Sequence, residues 1–322
     1  MGNFLSIITY HYVRPLNERF SEKHKFLEVN EFVRQLNILE SGHFFVDGRK
    51  IKDSKFVSPL SKKRAVWLTF DDGYLDHYVH VYPNLLSKKA VGTFFIPTKA
   101  IFGRRLLDVN KVHILLSLDI TINQIIAQLA DLFVAVSGAE YFKRSFNELR
   151  KQYSVPTLLN DADTRFVKFF LQELLPLDLR KIVLDNLFAH HVKRSESAIV
   201  DEIYMTPDHL KILFESGMNI GSHGHDHARL EYMGAEAQKS DVEQSLKHLR
   251  SIGIQDPQTV FCYPYGSFNK QSKSVIKEIG CELAVSINPG VVDLDSGEID
   301  WLELRRIDAK FFDDYFPVHA QS

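Results

Sequence analysis

Short apolar runs alternate with amphipathic stretches in roughly the first hundred residues of the chain. The runs 4–10 (FLSIITY), 65–70 (AVWLTF) and 91–96 (VGTFFI) are rich in β-branched and aromatic residues, so each predicts a buried strand. Residues 74–89, between the second run and the third, predict a helix. This alternation is typical of parallel strands that are joined by crossover helices.

The chain from 104 to 204 has a different pattern. Strand signals are nearly absent there, and apolar positions at helical spacing predict helices at 111–118, 122–136, 139–152, 163–175 and 178–192. We interpret this stretch as a helical insertion. Two roles are open for it: a lid over a site, or a helical subdomain that packs and stabilises the protein.

Alternation resumes after the helical stretch. Thr206 and Pro207 are a good N-cap and first-turn pair, which predicts a helix over 206–216. The pattern then predicts a strand that ends at Ile220, a helix at 235–251, a strand at 258–263, a helix at 269–279, and short strands at 283–287 and 303–307. Seven strand candidates therefore lie outside the insertion.

Seven strands with crossover helices fit a (β/α) barrel better than an open doubly wound sheet. We therefore predict an α/β fold, a distorted or incomplete (β/α)7 barrel with a helical insertion. The barrel is discontinuous, over 1–103 and 205–316, and the insertion is 104–204. In such a barrel the active site lies at the C-terminal ends of the strands. Each motif described below follows one of these strands.

The composition argues against several functional classes. The chain has 322 residues and a formal net charge of −2, so it has no basic excess to neutralise phosphates, and we expect no nucleic-acid partner. Two cysteines, Cys262 and Cys281, are too few for a disulfide framework and form no CxxC pair. The N-terminus lacks a signal-peptide pattern, and no apolar run approaches the roughly 18 residues of a membrane span. We therefore expect a cytoplasmic protein; its oligomeric state is open.

Two adjacent carboxylates, Asp71 and Asp72, directly follow the strand at 65–70. Such a pair is electrostatically unfavourable unless a positive charge lies beside it. One carboxylate can ligate a metal ion while the other takes a proton from water on that ion. Gly73 then permits a tight exit from the strand. The alternative is an Asp-Asp-Gly turn that caps the next helix.

Three histidines, His223, His225 and His227, lie within five residues after the strand that ends at Ile220. His223 and His227 are four apart, so on a helical turn both imidazoles would face the same side. This spacing can place two nitrogens on one divalent ion, with His225 pointing elsewhere. The alternative is a polar loop with unconnected imidazoles.

Two weaker motifs also follow strands. The segment 263–266 (YPYG) has a common turn composition, but beside a metal the turn can aim a backbone N–H at a developing oxyanion. His11 follows the first strand, where a lone histidine is usually a satisfied polar residue. If the strand ends converge, His11 lies near the metal and can act as a general acid, a role that histidine commonly takes.

Together these segments resemble the polysaccharide deacetylase family, also called the NodB-homology family or carbohydrate esterase family 4. TFDDGY resembles its first signature, GTFFIPT its next strand, SHGHDHARL its H-[ST]-x-x-H signature and YPYG its third. The resemblance covers roughly 4–100 and 205–310. It implies that the general base is Asp71, that the metal ligands are Asp72, His223 and His227, and that the oxyanion hole includes the backbone N–H of Tyr265.

Three departures from the family pattern affect these assignments. Gly224 stands where Ser or Thr follows the first histidine of the signature, and Cys262 stands near the place of an arginine that often precedes the third signature. The Leu-His signature near the C-terminus is missing, and His319 lies in a tail. Circularly permuted members take the acid from an N-terminal Tyr-His segment, which residues 10–11 resemble, so His11 is assigned as the general acid. Asp308 either orients that acid or forms a surface salt bridge.

We therefore expect a metal-dependent hydrolase that removes an N-acyl group, with acetyl favoured, from an amino sugar or glycan precursor. The ligand types favour Zn²⁺, with Co²⁺ or Ni²⁺ as alternatives. The expected substrate is an N-acylated sugar, a nucleotide- or lipid-linked sugar, or an oligosaccharide. Two other functions are open: a deformylase or other small-amide hydrolase, and a degenerate carbohydrate-binding module without catalysis.

Overall fold

Parallel strands form the centre of the fold. The structure is a computed structural model, and it describes residues 3–16, 26–53, 64–141, 145–157 and 160–317. The strands in chain order are β1 (Phe4–Tyr10), β2 (Val13–Arg14), β3 (Leu27–Glu28), β4 (His43–Phe45), β5 (Arg64–Phe70), β6 (Gly92–Ile96), β7 (Asn219–Ser222), β8 (Val260–Cys262), β9 (Leu283–Pro289), β10 (Val292–Asp293) and β11 (Leu304–Asp308).

Seven of these strands close into a parallel barrel in the order β1-β11-β9-β8-β7-β6-β5, with β5 paired back onto β1. The closing pair runs in register from Leu5 opposite Ala65 to Tyr10 opposite Phe70. The predicted (β/α)7 barrel is confirmed, and the ring is closed rather than incomplete. Outside the ring, β4 pairs parallel with β5, and β10 pairs antiparallel with β1. β2 and β3 form a separate two-stranded sheet.

Helices connect the strands. The α-helices are Val29–Gly42, Tyr82–Ser87, Thr98–Phe102, Asp108–Ser117, Ile122–Tyr141, Phe146–Tyr153, Ala162–Phe169, Leu177–His191, Glu196–Ile203, Pro207–Glu215, Ala235–Ser251, Lys270–Glu278 and Phe312–Tyr315. Two π-helices, His77–Val81 and Phe170–Leu174, adjoin α-helices, and short 3₁₀ helices occur at Gly48–Lys50, Leu230–Tyr232, Pro264–Gly266 and Ala309–Phe311.

Most predicted elements are present, with differences at their ends. The helix predicted at 74–89 is not continuous, because the π-helix His77–Val81 precedes its α-helical part. The helix predicted at 139–152 is wrong as one element: one helix ends at Tyr141, the next begins at Phe146, and residues 142–144 lie outside the described part of the chain. The short strands β4 and β10 were not predicted from the sequence pattern.

The alternation of side chains along the strands decides which residues face the barrel interior. One buried apolar cluster includes Leu5, Ile7, Ala65, Trp67, Phe95, Val260, Cys262, Leu283, Val285 and Leu304. Two residues further along their strands, the same faces carry polar groups that contact one another. Thr9 Oγ1 donates to Asp71 Oδ2 at 3.3 Å, and Arg306 Nη1 donates to Thr69 Oγ1 at 3.2 Å. The interior thus changes from apolar to polar at the C-terminal ends of the strands.

The chain forms two compact units. The first contains the described residues up to Leu16, then Phe26–Arg105 and the chain from Ile199 onward; the second contains Leu106–Ala198. In the second unit, Phe146, Phe166 and Phe170 pack edge-on or tilted against one another, with ring centroids 5.2–5.6 Å apart. The assignment of 104–204 as an insertion in a discontinuous domain stays a prediction. Among the described residues, no helix combines the length and the apolar character that crossing a bilayer requires.

Candidate active site

Asp72, His223 and His227 lie together at the C-terminal end of the barrel. All three are buried, and one ligand atom from each lies within 4.8 Å of the others. Asp72 Oδ1 is 3.5 Å from His223 Nε2 and 3.2 Å from His227 Nε2. A carboxylate and two imidazoles in this arrangement are a donor set that suits a divalent transition metal.

The backbone brings these three side chains together through loop conformations. Asp72 has φ 73° and His227 has φ 55°, in the left-handed region that non-glycine residues rarely adopt. The interpretation that His223 and His227 share a helical turn is wrong: the chain after β7 is an irregular loop in which Gly224 also has a positive φ, 72°. Strained residues of this kind persist where the surrounding structure constrains them, which is common at functional sites.

Neighbouring groups orient two of the candidate ligands. His223 Nδ1 donates to the carbonyl oxygen of Cys262 at 2.7 Å, which orients the ring so that Nε2, the nitrogen that would bind a metal ion, faces Asp72. The hydroxyl of Tyr74 donates to Asp72 Oδ2 at 2.9 Å, so Oδ1 is the oxygen that faces the histidines. Burial opposes ionisation of Asp72, but hydrogen bonds from both histidines hold its pKa well below the usual value. These residues therefore fit a metal ion.

Asp71, the predicted base, is paired with Arg306. Arg306 Nη1 donates to Asp71 Oδ1 at 2.8 Å and Nη2 donates to Oδ2 at 2.7 Å, a bidentate contact between fully buried groups. Burial raises the pKa of Asp71, but the charge and hydrogen bonds of Arg306 outweigh it and hold that pKa well below the usual value. Asp71 is thus an ionised carboxylate, as a proton acceptor must be.

A second group of potential ligands, formed by Asp71, His223 and Cys262, also lies in this region. The guanidinium of Arg306 occupies it, because Nη2 contacts both Asp71 and, at 3.2 Å, the sulfur of Cys262. A cation bound there would have to displace or repel this buried positive charge. We therefore assign the metal-binding geometry to the group that contains Asp72.

His11 lies at the rim of the same site. Its Nε2 is 3.8 Å from Asp71 Oδ2, and its side chain is 44% exposed. The pairing of β1 with β5 accounts for this position, because Tyr10 and Phe70 are opposite each other and His11 and Asp71 are the next residues. His11 therefore combines proximity to the base with access to solvent and substrate.

Tyr265 borders the candidate ligands from the turn after β8. It has φ 57° and ψ 12°, and its ring centroid lies 4.6 Å from that of His227. The guanidinium of Arg229 lies 4.5 Å from the centroid of the Tyr265 ring. Packing by these two side chains supports the strained turn next to His227.

The third histidine of the loop contacts other residues. His225 Nδ1 is 3.0 Å from Thr98 Oγ1, and the His225 ring stacks on His248 at 5.3 Å. The backbone N–H groups of His225 and Asp226 donate to the carboxylate of Asp241 at 2.9 and 2.8 Å. Asp241 thereby fixes the part of the loop that lies between His223 and His227.

Two neighbours of the site were not predicted in these roles. They are Arg306, which pairs with Asp71, and Tyr74, which donates to Asp72. Asp308 itself caps the turn Ala309–Phe311 and pairs with Lys310, which agrees with the surface salt-bridge alternative. His319 lies outside the described residues. An arginine on the buried face of a strand was the available signal for Arg306, since a buried guanidinium requires a partner.

Known proteins resemble this chain in sequence and in fold. A family model described as polysaccharide deacetylase matches residues 60–111 and 176–284, half of the chain. YxkH of Bacillus subtilis, which carries the same family name, is 27% identical over 94 residues, 29% of this chain and only 33% of the relative's own length.

Solved structures with low sequence identity share the fold. The deacetylase PplD of Streptococcus pyogenes, in complex with acetate, is 16% identical with a TM-score of 0.57, over 96% of this chain and 93% of that one. IcaB from Ammonifex degensii is 16% identical with a TM-score of 0.55, over 98% and 96% of the two chains. The family match, the closed barrel and the four motifs agree: the chain belongs to the polysaccharide deacetylase family.

Proposed function

We propose that this protein is a metal-dependent hydrolase that removes an N-acetyl group from an amino sugar or a glycan precursor. The observation that carries the proposal is the position of the ionised pair Asp71–Arg306 beside the buried group Asp72, His223 and His227. A proton acceptor and a metal-binding group that lie side by side are the two components that hydrolysis of an unactivated amide by water requires.

Asp71 and the metal-binding group have separate tasks. A divalent ion held by Asp72, His223 and His227 would supply Lewis-acid chemistry, with Zn²⁺ favoured and Co²⁺ or Ni²⁺ as alternatives. Asp71 accepts a proton from the attacking water. Arg306 keeps Asp71 ionised and fixes the direction of its two oxygens, so the acceptor is present before the substrate arrives.

Two further groups act on the substrate. The backbone N–H of Tyr265 is our candidate donor to the oxygen that becomes negative when the carbonyl carbon turns tetrahedral. His11 gives its proton to the leaving nitrogen as the C–N bond breaks, and the bonding electrons remain on that nitrogen. The partial exposure of His11 suits a group that must reach the leaving amine.

The acyl group and the sugar are the finer parts of the proposal. We favour acetyl, on the sugar of a nucleotide- or lipid-linked precursor or an oligosaccharide, whereas formyl would make the protein a deformylase. The cytoplasmic location stays a prediction. The alternative of a binding module without catalysis was based on a missing arginine and a displaced acid. Arg306 is a candidate for the arginine that pairs with the base, and His11 is a candidate for the acid. The presence of both residues beside Asp71 supports the catalytic proposal.

Release of acetate or formate from N-acylated amino sugars, followed by mass spectrometry of the product, tests the proposal directly. We expect activity that a chelator abolishes and that a divalent metal restores. Asp72→Ala, His223→Ala and His227→Ala should lose both metal and activity, whereas Asp71→Asn should keep the metal and lose activity. His225→Ala is the matched control, since this histidine contacts Thr98 rather than the ligand group. Full activity of Asp71→Asn would contradict the assigned base.

A further inference from the structure

The segment that carries His11 is attached to the stretch of chain that carries the predicted base. The N–H of Asp71 donates to the carbonyl oxygen of Tyr10 at 3.0 Å. His77 Nε2 donates to the carbonyl oxygen of His11 itself at 2.6 Å. These contacts fix the backbone at His11 and at the residue before it.

Asp76 fixes the chain on the other side of His11. Its carboxylate accepts the N–H of Val13 at 3.2 Å, and it accepts Nε and Nη2 of Arg14 at 2.9 and 3.1 Å. Asp76 and Arg14 are both buried. Removing one partner of a buried ion pair leaves an uncompensated charge, so this contact is a strong constraint on the segment.

His77 is suited to hold a backbone rather than to exchange protons with a substrate. It is fully buried, and because a carbonyl oxygen only accepts, its Nε2 must carry the proton. Burial lowers the pKa of His77 to about 4, so its ring is neutral near pH 7. The π-helix His77–Val81 begins at this residue, and π-turns of this kind recur at functional sites.

We propose that Asp76 and His77 are positioning residues that hold the imidazole of His11 at the rim of the barrel, next to Asp71. The inference rests on the proposed function, in which His11 is the acid. Residues 71–77 then carry the base, one metal ligand and the side chains of Asp76 and His77 that fix the acid. One short segment of the chain therefore sets their mutual distances. A displacement of about 1 Å in such a group is enough to reduce catalysis strongly.

The leaving group of the substrate provides the test. An amine leaves slowly without a proton from an acid, whereas p-nitrophenolate leaves readily as an anion. Hydrolysis of an N-acetylated amino sugar is therefore compared with hydrolysis of p-nitrophenyl acetate by the metal-loaded enzyme. We expect His77→Leu to reduce amide hydrolysis by about 10- to 100-fold and to change ester hydrolysis by less than about threefold. His11→Ala should change the ratio in the same direction.

Two variants separate positioning from loss of stability. His77→Gln keeps an N–H donor at a similar reach and should restore most of the amide activity, while Asp76→Asn should lower the ratio of amide to ester hydrolysis. Leu246→Ala, in the buried face of the helix Ala235–Ser251, should lower stability without changing that ratio. If the wild type is active and His77→Leu leaves the ratio of amide to ester hydrolysis unchanged, the inference is overturned and the proposed function is not. A wild type that hydrolyses no N-acylated sugar would overturn the proposed function, and with it the role of His11.

Discussion

At the scale of single residues, the buried carboxylate of Asp71 stays in its charged form inside the barrel. Asp71 is ionised mainly because Arg306, on a strand far along the sequence, compensates for burial. The sulfur of Cys262 contacts both groups, at 3.5 Å from Asp71 Oδ2 and 3.2 Å from Arg306 Nη2. A cysteine at position 262 therefore leaves space for a guanidinium that approaches from β11.

Replacing Arg306 by Met should raise the pKa of Asp71, because the largest charge that opposes the effect of burial is then removed. A base must be ionised, so activity is lost as the pH falls through this pKa, and a raised pKa moves the acid limb of the kcat/KM profile to higher pH. At pH 7 we expect a loss of about 10- to 100-fold. The measurement is the pH profile of acetate release.

Two other variants accompany that profile. Arg305→Met is the matched control: the neighbouring arginine is exposed, and its removal should leave the acid limb in place. Arg306→Lys keeps the positive charge, so it should shift the acid limb less than Arg306→Met does, although breaking the buried pair in the Met variant costs about 3–5 kcal/mol. An acid limb at the wild-type pH in Arg306→Met would mean that Arg306 does not control the pKa of Asp71.

The sequence was informative where a functional group is part of a local motif. Asp71, Asp72, His223 and His227 each lie in a short segment with an unusual concentration of titratable residues, and the structure brings them together. Arg306 could not be recognised in this way, because its role depends on a partner 235 positions away and its neighbour Arg305 is the same residue type. Arg306 lies on the buried face of β11 and Arg305 on the exposed face. Which face is buried is known only once the strand is placed in the barrel.

At the scale of elements, the loop after β7 depends on a helix that follows it. Gly224 has φ 72°, and a Cβ there would lie 2.6 Å from Asp241 Oδ2. The carboxylate that accepts the N–H groups of His225 and Asp226 thus fills the space next to this glycine. This arrangement explains why position 224 has no side chain, although the family pattern has Ser or Thr there.

Gly224→Ala should therefore be strained both in φ and by contact with Asp241. We expect a loss of about 1–3 kcal/mol in the free energy of unfolding and about a tenfold loss in metal affinity. Gly42→Ala is the control, because a Cβ there has no atom within 4 Å and the residue ends a helix. Thermal unfolding and metal titration measure both effects; equal behaviour of the two variants would contradict the proposed constraint.

The raised pKa of Asp241 predicts that the stability of the protein depends on pH. Burial raises its pKa to about 6, against the hydrogen bonds from Asp226 and His225, compared with 3.8 for the ordinary group. The folded protein therefore binds this proton more readily than the unfolded chain. The contribution of Asp241 to the free energy of unfolding rises as the pH falls from about 6 to about 4, by at most about 3 kcal/mol.

The variant Asp241→Asn isolates this contribution, since asparagine does not titrate and the other carboxylates are the same in both proteins. Denaturant unfolding in the presence of a chelator, at several values between pH 7 and pH 4, should show the wild type gaining stability relative to the variant as the pH falls. A difference that stays constant over this range would mean that Asp241 keeps its ordinary pKa.

The long elements were predictable from the sequence, whereas several of the shortest ones were not. The strand at 4–10 and the helix at 235–251 have strong periodic patterns, and the structure has both with the same ends. β4 and β10 have three and two residues, too few for a pattern, and they form only because the edges of β5 and β1 are available. The π-helix at His77–Val81 likewise has no signal in apolar spacing.

At the scale of the whole molecule, barrel closure joins groups that are distant in the sequence. Four strands end next to residues of the site: β1 leads to His11, β5 to Asp71 and Asp72, β7 to the histidine loop, and β8 to Tyr265. Arg306 lies within β11. The closed ring was not decided by the sequence, because seven strand candidates fit a complete or an incomplete barrel equally well. The register between β1 and β5 closes it, and that register places His11 next to Asp71.

A metal ion bound by Asp72, His223 and His227 would link two of these strand ends, so binding should stabilise the whole fold. A ligand that binds only the folded protein adds about 4 kcal/mol when its concentration is a thousand times its Kd. We expect Zn²⁺ to raise the Tm of chelator-treated protein by several degrees, and Co²⁺ or Ni²⁺ to do so by different amounts. Asp71→Asn should keep this shift, because Asp71 is paired with Arg306 and not assigned to the ion.

Two histidines of the loop, His225 and His227, give the sharpest comparison for this prediction. His227→Ala removes a candidate ligand and should abolish the Zn²⁺-dependent shift in Tm, whereas His225→Ala, two residues earlier, should retain it. Both variants alter the same loop, so general weakening of the loop affects them alike and cancels in the comparison. A shift that persists in His227→Ala and disappears in His225→Ala would reverse the assignment, and it would locate the ion on the side of the loop that faces Thr98 and His248.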